Sequence, residues 1–556
     1  MFKARQYLVL FLFMFFLLAL LARLFYLQIV GYQKFSGMAA EQHNRVMRID
    51  PRRGALCDSN MEPLAINLDS PSIFADPRNI EDPEHTADIL SDVLDIDREI
   101  LLERLKKDKS FAWVKRKVSE EKADRVKALG LKGVHFLNER KRSYPNDNMA
   151  SHVVGFAGID NTGLEGVELQ YDEKLKGKPG WRYLVKDARR RTVLYNERDS
   201  IPPQNGYNII LTIDSVIQFI VEEELRKMVS RYHADSASAI VMDPFSGRVL
   251  AMANYPDYDP NSFDEVSTSF IKNTSVSSVF EPGSVFKIVT ASAALNEKKF
   301  ETDDVIYCEN GNYRVAGRVL HDFHSYGDLS FREVITKSSN IGTVKVAREL
   351  GEETVYEYIG KFGFGRKTGI DLPGEVNGIS RSPSVWSGSD ITTIPIGQGI
   401  AVTPIQLVRA ISVIANGGYL VTPHVVDRIM TWEGEFYSKY DPPKKAQVLS
   451  RDTCKKMKDI LRGAVTSGTG RYAQSKFYTT CGKTGTAQMI NPKGGYYPNK
   501  YVASFIGFAP EERPLVSIVV TAKNPHPVYF GGTVAGPVFK KIAERTLQYL
   551  GSGKNE

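Results

Sequence analysis

Residues 280–289 read FEPGSVFKIV, with Ser284 three positions before Lys287, just after a Pro-Gly pair and just before an apolar run. Pro282-Gly283 can end the preceding chain, and the run from Lys287 to Leu295 predicts a buried helix starting at the serine, so that residues i and i+3 share a face. The same S-x-x-K spacing occurs at Ser119–Lys122 and Ser269–Lys272. Ser119 lies in VSEEKADRVK, a charged amphipathic helix, and reads as surface; Ser269 lies in STSFIKNTS, a polar stretch that reads as loop.

A serine hydroxyl is a poor nucleophile at neutral pH and needs a base within reach. Lysine can be that base only when neutral, and burial beside other cations supplies the downward pKa shift. The start of a helix adds partial positive charge and free N–H groups that favour a developing oxyanion. On this stretch alone, catalysis and a shared exposed helix face both remain open.

Two further segments weigh on the choice. Ser338-Ser339-Asn340 sits between apolar stretches, and a turn there would point a hydroxyl and an amide into one cleft; taken alone, a helix-capping serine and asparagine is the favoured reading. In TTCGKTGTAQM, Lys483-Thr484-Gly485-Thr486 precedes hairpin-like sequence. On an edge strand, the lysine and the two threonines are expected to face one side, offering a cation and two hydroxyls to a carboxylate. A second K-T-G, Lys367-Thr368-Gly369 in FGFGRKTGIDLPGE, is flanked by glycines and a proline and reads as a turn. His321 and His324 in HDFHSYG, with Cys308 as a distant third ligand, could suggest a metal, but no complete ligand set is visible, and no cofactor is expected.

Working outward, Ser236–Met242 and Arg248–Ala253 predict one hairpin, and Tyr501–Phe508 and Leu515–Thr521 another. Phe539, Ile542, Ala543, Leu547 and Leu550 form one face of a closing helix. The fold class is therefore α+β, with an antiparallel sheet flanked by helices. Upstream, Ile89, Leu90, Val93 and Leu94 recur at helical spacing, and Asp97 can cap a helix carrying Ile100, Leu101 and Leu105. Turn residues in SIPPQNGYN (200–208) place the main boundary near residue 205.

At the N-terminus, Lys3 and Arg5 precede sixteen uncharged, almost wholly apolar residues from Tyr7 to Ala22, continued past Arg23 by LFYLQIV. That is enough to cross a hydrocarbon layer of roughly 30 Å. No A-x-A-like site follows, so an uncleaved anchor is expected, with the N-terminus in the cytoplasm and the remainder outside. Four cysteines are too few for a disulfide scaffold. The net charge of +7 is diluted over 556 residues, although RLKKDKSFAWVKRK (104–117) and KDARRR (186–191) are locally basic, through solvated faces or through contact with anionic wall polymers or lipid head groups. Nucleic acid is not an expected partner.

S-x-x-K, S-x-N and K-T-G in this order resemble the motif set of the penicillin-recognising serine enzymes. RRGALCDSNMEPLA (52–65), SYPNDNMASHVVGFAG with GLEGVE (143–168), LTIDSVIQ (211–218) and IPIGQGIAVTPIQL (394–407) extend the resemblance over nearly the whole chain, to class B penicillin-binding proteins and most to the division type.

The resemblance implies an anchor (1–31), a non-catalytic pedestal (32–205), a transpeptidase domain (206–550) and a short tail (551–556). It further implies that Ser284 attacks the carbonyl of a D-Ala-D-Ala stem peptide while Lys287 takes its proton. Ser338 would relay a proton to the departing D-alanine, Asn340 would hold the substrate amide, and Lys483 would add positive potential. Thr484, Gly485 and Thr486 would bind substrate, and the N–H groups of Ser284 and Thr486 would stabilise the oxyanion. Expected partners are stem peptides, β-lactams, a membrane-embedded glycan polymerase and division proteins; no segment looks like a glycosyltransferase. Among glutamates between Asn340 and Lys483 none has an asparagine four residues on, which argues against a β-lactamase. Elongation-type or spore-specific enzymes, a D,D-carboxypeptidase, a β-lactam sensor and an inactive scaffold are the alternatives.

Overall fold

The structure, a computed structural model, describes residues 2–35, 44–186 and 192–552. Most of the basic stretch 186–191 and the end of the tail lie outside them.

The chain falls into two compact units. One comprises 1–53 with 176–206, the other 54–175 with 207–556. The first holds a helix, Phe2–Val30, whose most apolar 18-residue stretch has a mean hydropathy of 2.8, long and apolar enough to cross a membrane. It also holds a three-stranded sheet in which Gly180–Lys186 pairs with both Asn44–Ile49 and Thr192–Ile201.

In the second unit the centre is a five-stranded antiparallel sheet. Its strands are β1 (Ser236–Met242), β2 (Val249–Tyr255), β3 (Cys481–Ile490), β4 (Tyr496–Ala509) and β5 (Val516–Lys523), in the order β2-β1-β5-β4-β3. The expected hairpins are therefore present, and they meet where β1 pairs with β5, Val241 opposite Ile518. Period-2 alternation sends successive side chains to opposite faces. Ala239, Val241, Ile518 and Val520 pack against α1 (Ser215–Tyr232) and α6 (Gly536–Ser552), which supplies Phe539, Ile542 and Leu547. Ile240, Met242, Val519 and Ile506 join the larger core with α2 (Lys287–Asn296), α4 (Pro404–Ala415) and α5 (Arg451–Thr466).

Every residue of α2 from Lys287 to Leu295 is buried, as its apolar run predicts. Fully burying an aliphatic side chain is worth about 1.5–3 kcal/mol, so Ile288, Val289 and Leu295 hold α2 in the core and Lys287 is buried with them.

Residues 54–175, read from the sequence as pedestal, cluster with residues 207–556. Hydrogen bonding accounts for this. Leu56–Cys57 runs parallel to Asn208–Leu211, which also pairs antiparallel with Val426–Met430. The Tyr171 hydroxyl donates to Asp371 Oδ2 at 2.9 Å, and Asp371 also accepts the N–H groups of Val425 and Val426. Helix Arg98–Leu105 is capped by Asp97 as expected, but Ile100 faces solvent and Leu102 is buried instead. The basic stretch 104–117 is largely paired within the chain: Arg104 caps the carbonyls of Trp113 and Val114, Lys106 meets Glu84, and Arg116 meets Glu139 and Asp160.

Candidate active site

Ser284 stands in a 3-10 turn, Gly283–Phe286, that runs directly into α2. Gly283 has φ +55°, and a Cβ there would sit 3.1 Å from Thr486 O, so a bare backbone lets the turn lie against β3. Lys287, one turn on, is 0% exposed. Its Nζ donates to Ser338 O at 2.6 Å, Asn340 Oδ1 at 2.7 Å and Ser338 Oγ at 3.2 Å. Burial pushes the Lys287 amine down to about 7, with the Asp322 charge opposing. A neutral amine has two N–H donors and one lone pair. The two acceptor-only oxygens, Ser338 O and Asn340 Oδ1, can take the donors and leave the lone pair for a proton from the nucleophile.

Ser338 has φ +62°, the left-handed region, which costs a non-glycine residue of order 1–3 kcal/mol. The next residues hold it there. Ser339 caps α3 (Asn340–Leu350) by accepting the Gly342 N–H at 2.9 Å, and donates its hydroxyl to Asp322 Oδ2 at 2.6 Å. Asp322 Oδ1 accepts the N–H groups of Asn340 and Ile341, placing a carboxylate on the helix N-terminus. Thus the cap and the cleft readings of S-S-N both hold: Ser339 caps, while Ser338 and Asn340 face the lysine.

Asp322 escaped the sequence reading. It lies between the two histidines of HDFHSYG, 17 residues before Ser339, and no spacing rule marks it. Of those histidines, His321 bonds Asn312 Oδ1 and His324 lines the cleft. Among the described residues no group of three or more His, Cys, Asp or Glu could hold a metal ion.

β3 is an edge strand, as expected. The expectation that Lys483 shares a side with both threonines fails on strand parity, because neighbouring residues point to opposite faces. Thr484 and Thr486 line the cleft, whereas Lys483 is 0% exposed and donates to Ser338 Oγ at 2.9 Å. Burial, and then the neighbouring Lys287, hold the Lys483 amine well below the usual lysine range. Gly485 is required for contact: a Cβ there would lie 2.4 Å from Ser504 Oγ and 2.9 Å from Pro282 O. Thr486 Oγ1 accepts the Gly531 N–H at 3.0 Å, and Thr484 Oγ1 lies 2.7 Å from Thr469 Oγ1.

The cleft, about 510 Å³, is lined by Ser284, Ser338, Asn340, Thr484 and Thr486, with Phe323 and Phe530 at its rim. The structure thus gathers all three motifs into one site. The decoys fall elsewhere. Ser119 caps helix Glu120–Ala128, Ser269 is exposed in a short helix rather than a loop, and Thr368 of the second K-T-G is tied to Glu375.

Residues 237–544 match the penicillin binding protein transpeptidase domain, and residues 48–211 the penicillin-binding protein dimerisation domain. The chain is a class B penicillin-binding protein. Similar to this penicillin-binding protein is the stage V sporulation protein D of Bacillus subtilis, 38% identical over 537 residues, 95% of this chain and 83% of that one. The peptidoglycan D,D-transpeptidase FtsI of Escherichia coli is 31% identical over 541 residues, 96% of this chain and 89% of its own. Among solved structures, penicillin binding protein 3 of Mycobacterium tuberculosis in complex with aztreonam aligns at a TM-score of 0.72 and 28% identity, covering 91% of this chain and 97% of that one.

Proposed function

We propose that this penicillin-binding protein is a serine D,D-transpeptidase that cross-links peptidoglycan stem peptides and is acylated by β-lactams. The observation that carries the reading is the Ser338 hydroxyl, held between the buried amines of Lys287 and Lys483 beside Ser284. Ser284 Oγ attacks the penultimate D-Ala carbonyl and gives its proton to Lys287. The proton passes through Ser338 to the departing D-alanine nitrogen as the peptide bond breaks. Asn340 holds the substrate amide, and Thr484 and Thr486 receive the terminal carboxylate. The N–H groups of Ser284 and Thr486 stabilise the oxyanion, where losing one donor costs about 3 kcal/mol in comparable sites. An amine from a neighbouring stem peptide then attacks the ester, forming the cross-link and freeing Ser284.

Residues 1–31 serve as a membrane anchor with the N-terminus in the cytoplasm, residues 32–205 as pedestal and 206–550 as the catalytic domain, outside the membrane. A membrane-embedded glycan polymerase and division proteins are the proposed partners. The site of action is the division septum, supported by the likeness to FtsI. A spore-specific role is the second reading, favoured by the 38% identity to stage V sporulation protein D.

The test supplies detergent-solubilised full chain with a D-Ala-D-Ala stem peptide and an amine acceptor. Cross-linked product with stoichiometric D-Ala release is expected; D-Ala release without cross-link would replace the reading with a carboxypeptidase.

A further inference from the structure

The FEPGS stretch carries an acidic group that the reaction above leaves unused. Glu281 lies three positions before Ser284 and is 6% exposed. Its Oε1 accepts the Gly399 N–H at 2.7 Å and its Oε2 accepts the Tyr496 hydroxyl at 2.9 Å. Burial raises this carboxyl above its ordinary range, while the two bonds pull it back.

The partners come from opposite walls of the nucleophile turn. Gly399 belongs to the segment 397–402, whose Gly397 O accepts the Gly283 N–H at 3.0 Å and whose Val402 exchanges both backbone bonds with Phe280. A Cβ on Gly397 would stand 2.1 Å from Gly283 O, so the two backbones are in contact. Tyr496 opens β4 at the tip of the β3–β4 hairpin, opposite Ile490 and past a register shift. The two proposed oxyanion donors are likewise divided: the Ser284 N–H belongs to the turn and the Thr486 N–H to β3. No covalent link of fewer than two hundred residues joins them, because 284 and 486 lie far apart in sequence. Their separation must be set by noncovalent contacts.

We propose that Glu281 is a positioning residue for acylation: by bonding Gly399 and Tyr496 together it sets the spacing between the Ser284 turn and the β3–β4 hairpin, and so between the two oxyanion donors. Glu281 is not among the residues that line the Ser284 cleft, which makes it a clamp and not the base for the attacking amine. The inference rests on the acyl-enzyme reading of Ser284.

The test measures fluorescent-penicillin labelling of detergent-solubilised full chain over time at a series of concentrations, which separates the saturating acylation rate from the half-saturating concentration. Glu281→Gln and Tyr496→Phe are each expected to lower the saturating rate about tenfold, the worth of one charge-assisted hydrogen bond. The half-saturating concentration stays near wild type in both, and in Tyr496→Phe so does the unfolding midpoint. The double variant loses no more than Glu281→Gln alone, since both changes cut the same clamp. Tyr496 is 41% exposed, so removing its oxygen opens no core and carries the test should Glu281→Gln not fold. Wild-type rates in Tyr496→Phe, additive losses in the double variant, or a lowered midpoint with an unchanged saturating rate overturns the proposal. Absence of label on wild type would instead overturn the acyl-enzyme reading beneath it.

Discussion

The chain contains K-T-G twice, and the same three residues do different things. At 483–485 the lysine is sealed in the core against Ser338, and the glycine admits Ser504 and the nucleophile turn. At 367–369 the lysine is exposed, and the Thr368 hydroxyl and N–H are bonded to the Glu375 carboxylate seven residues on. One copy closes a local turn; the other joins segments far apart in sequence. A tripeptide supplies the groups, and the strand or turn beneath it decides what they meet.

The largest difference between the copies is expected from their lysines. Lys483→Ala removes a donor from Ser338 and should slow β-lactam acylation about a hundredfold or more, whereas Lys367→Ala should leave the rate unchanged. Stopped-flow labelling of the two variants side by side checks this, and equal effects would erase the distinction.

A smaller effect concerns pH. In the proposed mechanism Lys287 acts when neutral, so acylation is expected above its pKa and is expected to be lost as pH falls through about 7. The Asp322 charge raises that pKa, so Asp322→Asn should move the acid limb to lower pH while also loosening Ser339 and Asn340. A pH profile whose acid limb stays in place would sever Asp322 from the lysine.

The smallest effect lies in the turn copy. Thr368→Val loses a buried bond to Glu375 and should cost about 1–2 kcal/mol of stability, seen as a lower unfolding midpoint, with unchanged labelling per folded molecule.

Where alternation or capping chemistry was strong, the sequence was legible. Both hairpins, the closing helix and the apolar run behind Ser284 follow from local pattern, and the Asp97 cap from residue type. Shared polarity does not reveal the side of β3 on which Lys483 lies; parity along the strand sets it, opposite to Thr484 and Thr486. Asp322 was invisible because its role arises only where a loop crosses the start of α3, a contact with no local signature. The compact grouping of 54–175 with residues 207–556 was equally hidden, since it depends on the pairing of Leu56–Cys57 with a strand some 150 residues away, Asn208–Leu211.

Ser284, and neither other serine in an S-x-x-K, is the proposed nucleophile. Peptide-resolved mass spectrometry of the full chain after incubation with a penicillin, alongside Ser284→Ala and Ser269→Ala, locates the acylated residue. One adduct per chain is expected, on the peptide containing Ser284, absent in Ser284→Ala and retained in Ser269→Ala. An adduct that persists in Ser284→Ala, or maps to Ser119 or Ser269, would contradict the account.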